Sequence, residues 1–263
     1  MPGEESAARL RRARSASGDD LDLLIHEADA ESLLALLENP NMQEAHVSRL
    51  LERLELSTEL LSAVAKEGKW TSSEGVRFRL ARHPRTPSRI AISMLRQLYL
   101  FDLVRLSLQP SAPTDIRRTA EEFMLTRVPH LPIGEKLTLA RRGPARVAAA
   151  VLAEGHPQAV KIALSNSHLT ESQILKILSK PEVPARVVTA ISQHAKWSAQ
   201  YNVRLALLRH PHTPVPALLQ FLPDIALRDL KDALTVETLT PHFRKYIDQE
   251  LTRRAEDAKQ NVL

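Results

Sequence analysis

Apolar residues recur along most of the chain at the three- and four-residue spacing of one α-helix face. Leu21, Leu24 and Ile25 share one such face, and Leu61 and Val64 share another. Further helices are predicted at about 87–98, 99–108, 114–127, 135–142, 145–154, 157–165, 170–179, 185–194, 200–209, 214–222 and 224–234. No segment has the alternating pattern of a convincing strand, so the sequence predicts an all-α protein.

Proline punctuates these helices in a recurring way. In the segment His83-Pro84-Arg85-Thr86-Pro87, Pro84 disfavours helical backbone at His83 and ends one helix. Thr86 is a favourable N-cap, and Pro87 suits the first position of the next helix because its missing N–H is not needed there. The segment therefore separates two consecutive helices, and a weaker version of it recurs at 110–113.

Two long stretches of the chain align without a gap when one is shifted by 127 positions. Residues 61–87 then lie on residues 188–214, with Trp70 on Trp197, and the His-Pro-x-Thr-Pro segment on its second copy. The chain has only two tryptophans, and chance rarely pairs both at one offset within such a run. The alignment predicts an internal duplication of about 127 residues.

The duplication and the helical pattern together give a predicted domain organisation. Residues 19–263 are predicted to form a single α-solenoid after a flexible tail at 1–18, which lacks apolar spacing. Within it we expect a first copy at about 33–108, irregular connecting repeats at 109–159, a second copy at about 160–235 and a polar capping helix at 238–259.

The repeated unit resembles a known family. Residues 203–222, VRLALLRHPHTPVPALLQFL, and residues 76–87 resemble bacterial leucine-rich repeat variant units, which read roughly V-R-x-A-[VL]-A-x-[NH]-P-x-T-P before a leucine-rich helix. A wider similarity to HEAT-like repeats covers about 30–259. The resemblance implies a right-handed α-solenoid that acts as a protein-interaction scaffold. The iron–sulfur cysteine cluster of some such families has no counterpart here, because the chain contains no cysteine.

Composition removes several classes of function. Without cysteine the 263-residue chain has no disulfide, thiolate metal site or cysteine nucleophile, which fits a cytoplasmic protein. No apolar run approaches the roughly 18–20 residues of a membrane span, and the N-terminus lacks the apolar core of a signal peptide. Phosphate-binding glycine loops, Gly-x-Ser-x-Gly and His-Glu-x-x-His are missing, so neither a catalytic residue, a cofactor nor a metal is expected.

Charge is distributed unevenly along the chain. Residues 1–74 carry 8 basic and 15 acidic residues, whereas residues 75–146 carry 14 basic and 5 acidic ones. Ten arginines of the second stretch could bind an anionic partner: Arg79, Arg82, Arg85, Arg89, Arg96, Arg117, Arg118, Arg141, Arg142 and Arg146. Such a block is typical either of a nucleic-acid contact or of an ordinary solvated surface.

Other notable residues have structural interpretations. Arg77 and Arg204 occupy equivalent positions on apolar helices, and Asp102 and Asp229 each follow 25 residues later, which predicts Arg–Asp pairs between adjacent repeats. The paired tryptophans are predicted to be wedges between helices rather than stacking platforms for bases. His83 and His210 are expected to hydrogen-bond carbonyls at helix ends rather than to bind metal.

The function predicted from these observations is that of a non-enzymatic repeat scaffold that binds another protein. A nucleic-acid-binding α-solenoid using residues 75–146 is the alternative. A third hypothesis is an enzyme similar to the alkylpurine DNA glycosylases, HEAT-like solenoids with tryptophans and an aspartate on the concave face. Such an enzyme needs a carboxylate beside an aromatic residue in an open cleft.

Overall fold

The computed structural model describes residues 2–235 and 239–260, and within these ranges all regular secondary structure is helical. Helix accounts for 73% of the chain, and the described residues contain no strand. The prediction of an all-α protein is therefore confirmed. No helix in the described part is both long enough and apolar enough to cross a membrane.

The chain divides into two compact units, Met1–Thr126 and Arg127–Leu263. The helices of unit 1 are α1 (Pro2–Ser15), α2 (Gly18–Glu27), α3 (Ala30–Leu37), α4 (Glu44–Leu50), α5 (Thr58–Lys66), α6 (Gly68–Thr71), α7 (Glu74–Arg82), α8 (Ser88–Leu95), α9 (Leu100–Ser107) and α10 (Thr114–Arg127), whose last residue belongs to unit 2.

Unit 2 continues with a short 3-10 helix, Val128–His130, and a further series of α-helices. These are α11 (Ile133–Arg142), α12 (Ala145–Ala153), α13 (Pro157–Leu164), α14 (Glu171–Leu178), α15 (Ala185–Gln193), α16 (Ala195–Ser198), α17 (Tyr201–Arg209), α18 (Val215–Phe221), α19 (Leu227–Leu234) and α20 (Pro241–Gln260). A second 3-10 helix, Leu222–Asp224, follows α18.

Helix bounds recur at an offset of 127 residues in the two units. The pairs α3 and α13, α6 and α16, α7 and α17, and α9 and α19 coincide at both ends, and α10 and α20 begin at equivalent positions. Burial follows the same offset, since Leu80 and Leu207 are both fully buried, as are Val76 and Val203.

Each unit packs its helices in two rows of neighbours. In unit 1, α1, α3 and α5 contact one another in that order, while α2, α4, α7 and α9 form the second series. Unit 2 has the corresponding contacts among α11, α13 and α15 and among α12, α14, α17 and α19. The cores of both units consist mainly of leucine, valine, isoleucine and alanine, because aromatic residues are only 4% of the chain.

One predicted boundary differs from the structure. Residues 2–15 of the predicted tail form α1, which packs on α3 through Ala13, a residue with no exposed surface. The segment 109–159 contains α10, α11 and α12, close to the helices predicted at about 114–127, 135–142 and 145–154, with Val147 and Val151 fully buried. Small side chains explain why α1 was not predicted: alanine can fill a tight helix contact, yet it contributes little to an apolar pattern. The polar C-terminal helix is α20, and residue 238, its predicted first residue, lies outside the described ranges.

Candidate binding groove

The histidine of each His-Pro segment hydrogen-bonds a backbone carbonyl 30 residues earlier, and so connects two consecutive pairs of helices. His83 Nε2 lies 2.7 Å from the carbonyl oxygen of Arg53, and its Nδ1 accepts a hydrogen bond from the Arg85 backbone N–H at 3.1 Å. His210 repeats both contacts with Lys180 and His212. A ring whose Nδ1 accepts and whose Nε2 donates is neutral, and burial lowers the pKa of both histidines. Both rings therefore bond to backbone groups, and the carbonyls they reach lie just after α4 and α14.

Two asparagines perform the same task elsewhere in the chain. Asn39 Nδ2 donates to the carbonyls of Ala13 and Ala16 at 2.7 and 3.0 Å, and its Oδ1 accepts from the Asn41 backbone N–H. Asn166, at an offset of 127, donates to carbonyls at the end of α11 in the same way. The offset of 127 residues pairs these asparagines in the sequence, but the carbonyls that they satisfy were not predictable from spacing alone.

The predicted Arg–Asp pairs between repeats do not form. Arg77 donates to the carbonyl oxygens of Thr71 and Ser72 at 2.7 and 2.9 Å. Free carbonyls at the C-terminus of the preceding short helix are the nearer acceptors, and a helix end always leaves such groups unsatisfied. Asp102 pairs instead with Arg105 on its own helix at 3.4 Å.

In unit 2 the equivalent arginine has a carboxylate partner other than the predicted one. Arg204 donates to the Ser198 carbonyl at 2.5 Å and to Asp224 at 2.6 Å. Asp229 accepts a hydrogen bond from the Tyr201 hydroxyl. The carbonyl contact is thus common to both units, and the carboxylate contact belongs to unit 2.

Both tryptophans are buried, with exposed fractions of 5% for Trp70 and 1% for Trp197. Lys69 and Lys196 place their Nζ atoms 4.3 and 4.0 Å from the respective ring centroids. Trp197 Nε1 donates to the Leu164 carbonyl at 2.9 Å. Neither indole offers an open face on which a base could stack.

Several of the ten arginines are engaged within unit 1. Arg79 and Arg82 both pair with Glu52, and Arg85 donates to the Glu55 carbonyl at 2.6 Å. Contacts within α10 hold two more: Arg117 to Thr114 at 3.1 Å and Arg118 to Glu122 at 3.5 Å. Arg89, Arg141 and Arg142 are exposed and form no ion pair with any described residue, while Arg96 and Arg146 have contacts of their own. The first seven arginines belong to unit 1 and the last three to unit 2.

Unit 2 contains a groove between α13 and α15 that the sequence did not predict. Its volume is about 760 Å³. Val160, Leu164 and Ala190 provide its apolar surface, and Lys161 and Arg186 provide its charge. Its lining is completed by Pro157, Ser165, Gln193 and His194. These nine residues define what we call the α13–α15 groove.

A second cavity, of about 410 Å³, adjoins this groove in unit 2. The two cavities share Pro157 and Arg186, the residues near the starts of α13 and α15. Leu131 and Ile133 contribute apolar surface to the second cavity. Lys136 and Glu154 also line it and neutralise each other in an ion pair of 2.7 Å. The lined surface therefore continues past the end of the groove into a more polar cavity, with Arg186 between the two.

A left-handed glycine shapes the second cavity. Gly155 has a φ of +75°, and a Cβ built there would lie 3.0 Å from Pro184 Cγ. Only glycine adopts this conformation without strain, and only glycine leaves space for the proline ring. The turn between α12 and α13 thus depends on this residue.

The α13–α15 groove is electropositive. Lys161 and Arg186 are exposed, and neither forms an ion pair with a described residue. The described residues that line the groove include no acid. Burial lowers the pKa of His194, which favours its neutral form, so the charge of the groove comes from the lysine and the arginine.

The equivalent surface of unit 1 has the opposite charge. At an offset of 127, Lys161, Arg186 and His194 correspond to Leu34, Glu59 and Glu67. Ser165 and Gln193 correspond to Glu38 and Lys66, and Arg14 of α1 pairs with Glu38 at 2.7 Å. We call these five unit 1 residues and Ala63, the counterpart of Ala190, the α3–α5 face. The signal for this reversal lies in the sequence, where charges at positions 127 residues apart can be compared.

Comparisons with known proteins place the chain in no known group. No protein-family profile matches it, and neither the curated proteins nor the solved structures contain a significant match. No group of three or more metal-binding side chains occurs among the described residues.

Proposed function

We propose that the chain is an internally duplicated helical repeat protein, a right-handed α-solenoid of HEAT-like or variant leucine-rich repeats. Each unit is then one copy, with α1–α10 corresponding to α11–α20. The coincident helix bounds, the equivalent tryptophans with their lysines and the equivalent histidine contacts support this interpretation. The copies extend beyond the predicted 33–108 and 160–235 and include the helices at both ends of each unit.

The function that the geometry supports best is that of a non-enzymatic scaffold that binds a segment of another protein. The observation that carries it is the α13–α15 groove: a cavity of about 760 Å³ with an apolar floor, an adjoining second cavity, and two cations that pair with no described carboxylate. Sites for compact small molecules range over about 300–1,000 Å³ and enclose most of their ligand. Two adjoining cavities fit an elongated ligand, such as a chain segment, better than a compact one.

Nucleic-acid binding has less support than protein binding. Arg79, Arg82 and Arg118 already pair with carboxylates of their own unit, and Arg85 is held by backbone carbonyls. A phosphate would have to replace these contacts. The alternative is tested by fluorescence anisotropy with a 20-base-pair duplex and a single strand at about 50 and 200 mM salt, where phosphate binding weakens by orders of magnitude.

The proposed function is tested by panning a random peptide library against the purified protein. Ala190→Trp fills the groove with a bulky side chain. Ala63→Trp, at the equivalent position in unit 1, is the matched control, and both alanines are partly exposed on equivalent helices. We expect enriched peptides that bind the wild type and Ala63→Trp but not Ala190→Trp. Failure to enrich any peptide, or equal loss with both variants, would contradict a binding role for the groove.

A further inference from the structure

We propose that the segment bound by the α13–α15 groove is apolar and acidic, and that the α3–α5 face of unit 1 excludes the same segment. This inference rests on the proposed function and specifies its partner: a chain segment in which two or more carboxylates alternate with aliphatic side chains. The partner is defined here by its chemistry alone.

The charges of the groove carry the first half of the proposal. Two exposed cations face the groove, and no carboxylate in the described part of the chain pairs with them or lines the groove. In unit 1, by contrast, Arg79 and Arg82 of α7 both pair with Glu52, which follows α4. An acidic partner would supply the missing counter-charges, and complementary charges at an interface increase both specificity and association rate.

The dimensions of the groove indicate how the charges are spaced. The eight residues of α13 extend about 12 Å at 1.5 Å per residue, which is the length of about four residues of extended chain. Arg186 lies near the helix starts, where the two cavities meet, and Lys161 lies halfway along α13. One carboxylate is therefore expected at the junction of the cavities and another near the middle of the groove, with apolar side chains in each cavity.

The charges of the unit 1 surface support the second part of the proposal, that the α3–α5 face excludes the segment. The α3–α5 face has Glu59 where the groove has Arg186, and Leu34 where it has Lys161. It also has Glu67 in place of the neutral His194. An acidic segment is repelled by that face, because like charges brought together across an interface cost binding free energy. The two copies are thus specialised for different partners.

The experiment uses three fluorescein-labelled peptides of about 12 residues with the same leucine pattern and with Glu, Gln or Lys at the remaining positions. Their affinities for the full chain are measured by anisotropy at low and physiological salt. We expect the order Glu over Gln over Lys, with salt weakening only the first. We expect Arg186→Gln to weaken the Glu peptide about two- to fivefold and Arg186→Glu on the order of tenfold.

Exchange of residues between the copies provides the matched control. Lys161→Leu with Arg186→Glu gives the groove the unit 1 residues, and Leu34→Lys with Glu59→Arg gives unit 1 the groove residues. The first pair should abolish the preference for the Glu peptide, while the second should leave groove binding unchanged. Circular dichroism melting checks that the variants fold, which is expected because Lys161 and Arg186 are exposed.

The outcomes separate this inference from the proposed function. If the three peptides bind equally and Ala190→Trp still abolishes binding, the groove binds segments but the acidic preference is overturned. If neither these peptides nor any library peptide binds, the proposed function is overturned together with the inference. A preference for Glu that survives the Lys161→Leu, Arg186→Glu exchange would also overturn it, because the carboxylates would then be recognised elsewhere.

Discussion

The two units share their interior features and differ in their surface charge. Both have helices at equivalent positions, a buried tryptophan beneath a lysine, and a histidine that holds a carbonyl about 30 residues earlier. Unit 1 contains 17 basic and 19 acidic residues, whereas unit 2 contains 19 basic and 12 acidic residues. Close packing restricts what a core position can hold, while solvated positions tolerate reversal of charge. Surface charge is thus the property in which the two units differ most clearly.

The largest expected effect tests whether the cores are equivalent. Leu80 and Leu207 are fully buried at equivalent positions of α7 and α17. Replacing either leucine with alanine should lower the free energy of unfolding by about 2–5 kcal/mol, because it removes apolar contacts and leaves a cavity. Urea unfolding measures the loss. A loss below about 0.5 kcal/mol in one unit would show that its helix is not packed as its counterpart is.

A smaller effect is expected at the histidines that connect the hairpins. His83→Ala leaves the Arg53 carbonyl and the Arg85 N–H without a partner and should cost about 1–3 kcal/mol. His83→Asn should restore most of that loss, since Asn39 makes the corresponding two contacts with an amide. Urea unfolding of both variants, and of the His210 pair, measures the difference. Equal losses for alanine and asparagine would show that ring packing, and not the hydrogen bonds, matters here.

Much of this pattern was predictable from the sequence. Helix content followed from apolar spacing, helix ends from His83-Pro84 and its copy, and the structural role of Trp70 and Trp197 from their single offset. These features depend on local chemistry or on comparison of the chain with itself. The full extent of the equivalence was not predicted, because α1 and α11 contact their neighbours through alanines such as Ala13 and Ala140, which leave a weak pattern.

The partners of Arg77 and the existence of the groove were beyond sequence reasoning for a different reason. An arginine selects its acceptor from several groups within reach, and the carbonyls of a neighbouring helix end do not appear as residue types in a sequence. The groove needs α13 and α15 side by side, with Lys161 and Arg186 facing the same space. Which residues 25 positions apart come together is set by packing, and the sequence alone contains only the charge reversal against unit 1.

A third prediction concerns pH and applies to both units alike. Burial lowers the pKa of His83 and His210 below that of the unfolded chain, about 6.5. Above about pH 6.5 these histidines are neutral in both the folded and the unfolded chain. As the pH falls below about 6.5, they are protonated in the unfolded chain first. The free energy of unfolding therefore decreases until the pH passes the pKa of the folded state. Urea midpoints from pH 8 to 5 measure the loss. The double variant His83→Asn, His210→Asn should have a flatter profile, and an unchanged slope would mean that other groups cause the loss.

The smallest expected effect concerns a position at which the two units make different contacts. In unit 2, the Tyr201 hydroxyl accepts a hydrogen bond from the Ala226 N–H at 3.1 Å and donates one to Asp229. In unit 1 the equivalent residue is Glu74, which accepts from the Tyr99 N–H at 3.3 Å and faces Asp102. Desolvation and then the contact with Asp102 raise the pKa of Glu74 above its unfolded value of about 4.3. A raised carboxyl pKa stabilises the folded state below the unfolded pKa, and this contribution is lost as the pH rises through the folded pKa.

Glu74→Tyr gives unit 1 the unit 2 contact, with a hydroxyl that donates to Asp102 at any pH below the tyrosine pKa. The variant should therefore be more stable than the wild type near pH 7, and the gap should narrow towards pH 4, where Glu74 is itself protonated. Urea midpoints at the two pH values test this, with Tyr201→Glu expected to show the reverse in unit 2. If Glu74→Tyr shifted both midpoints equally, the gain would come from added ring contacts, and the two contacts would not be interchangeable.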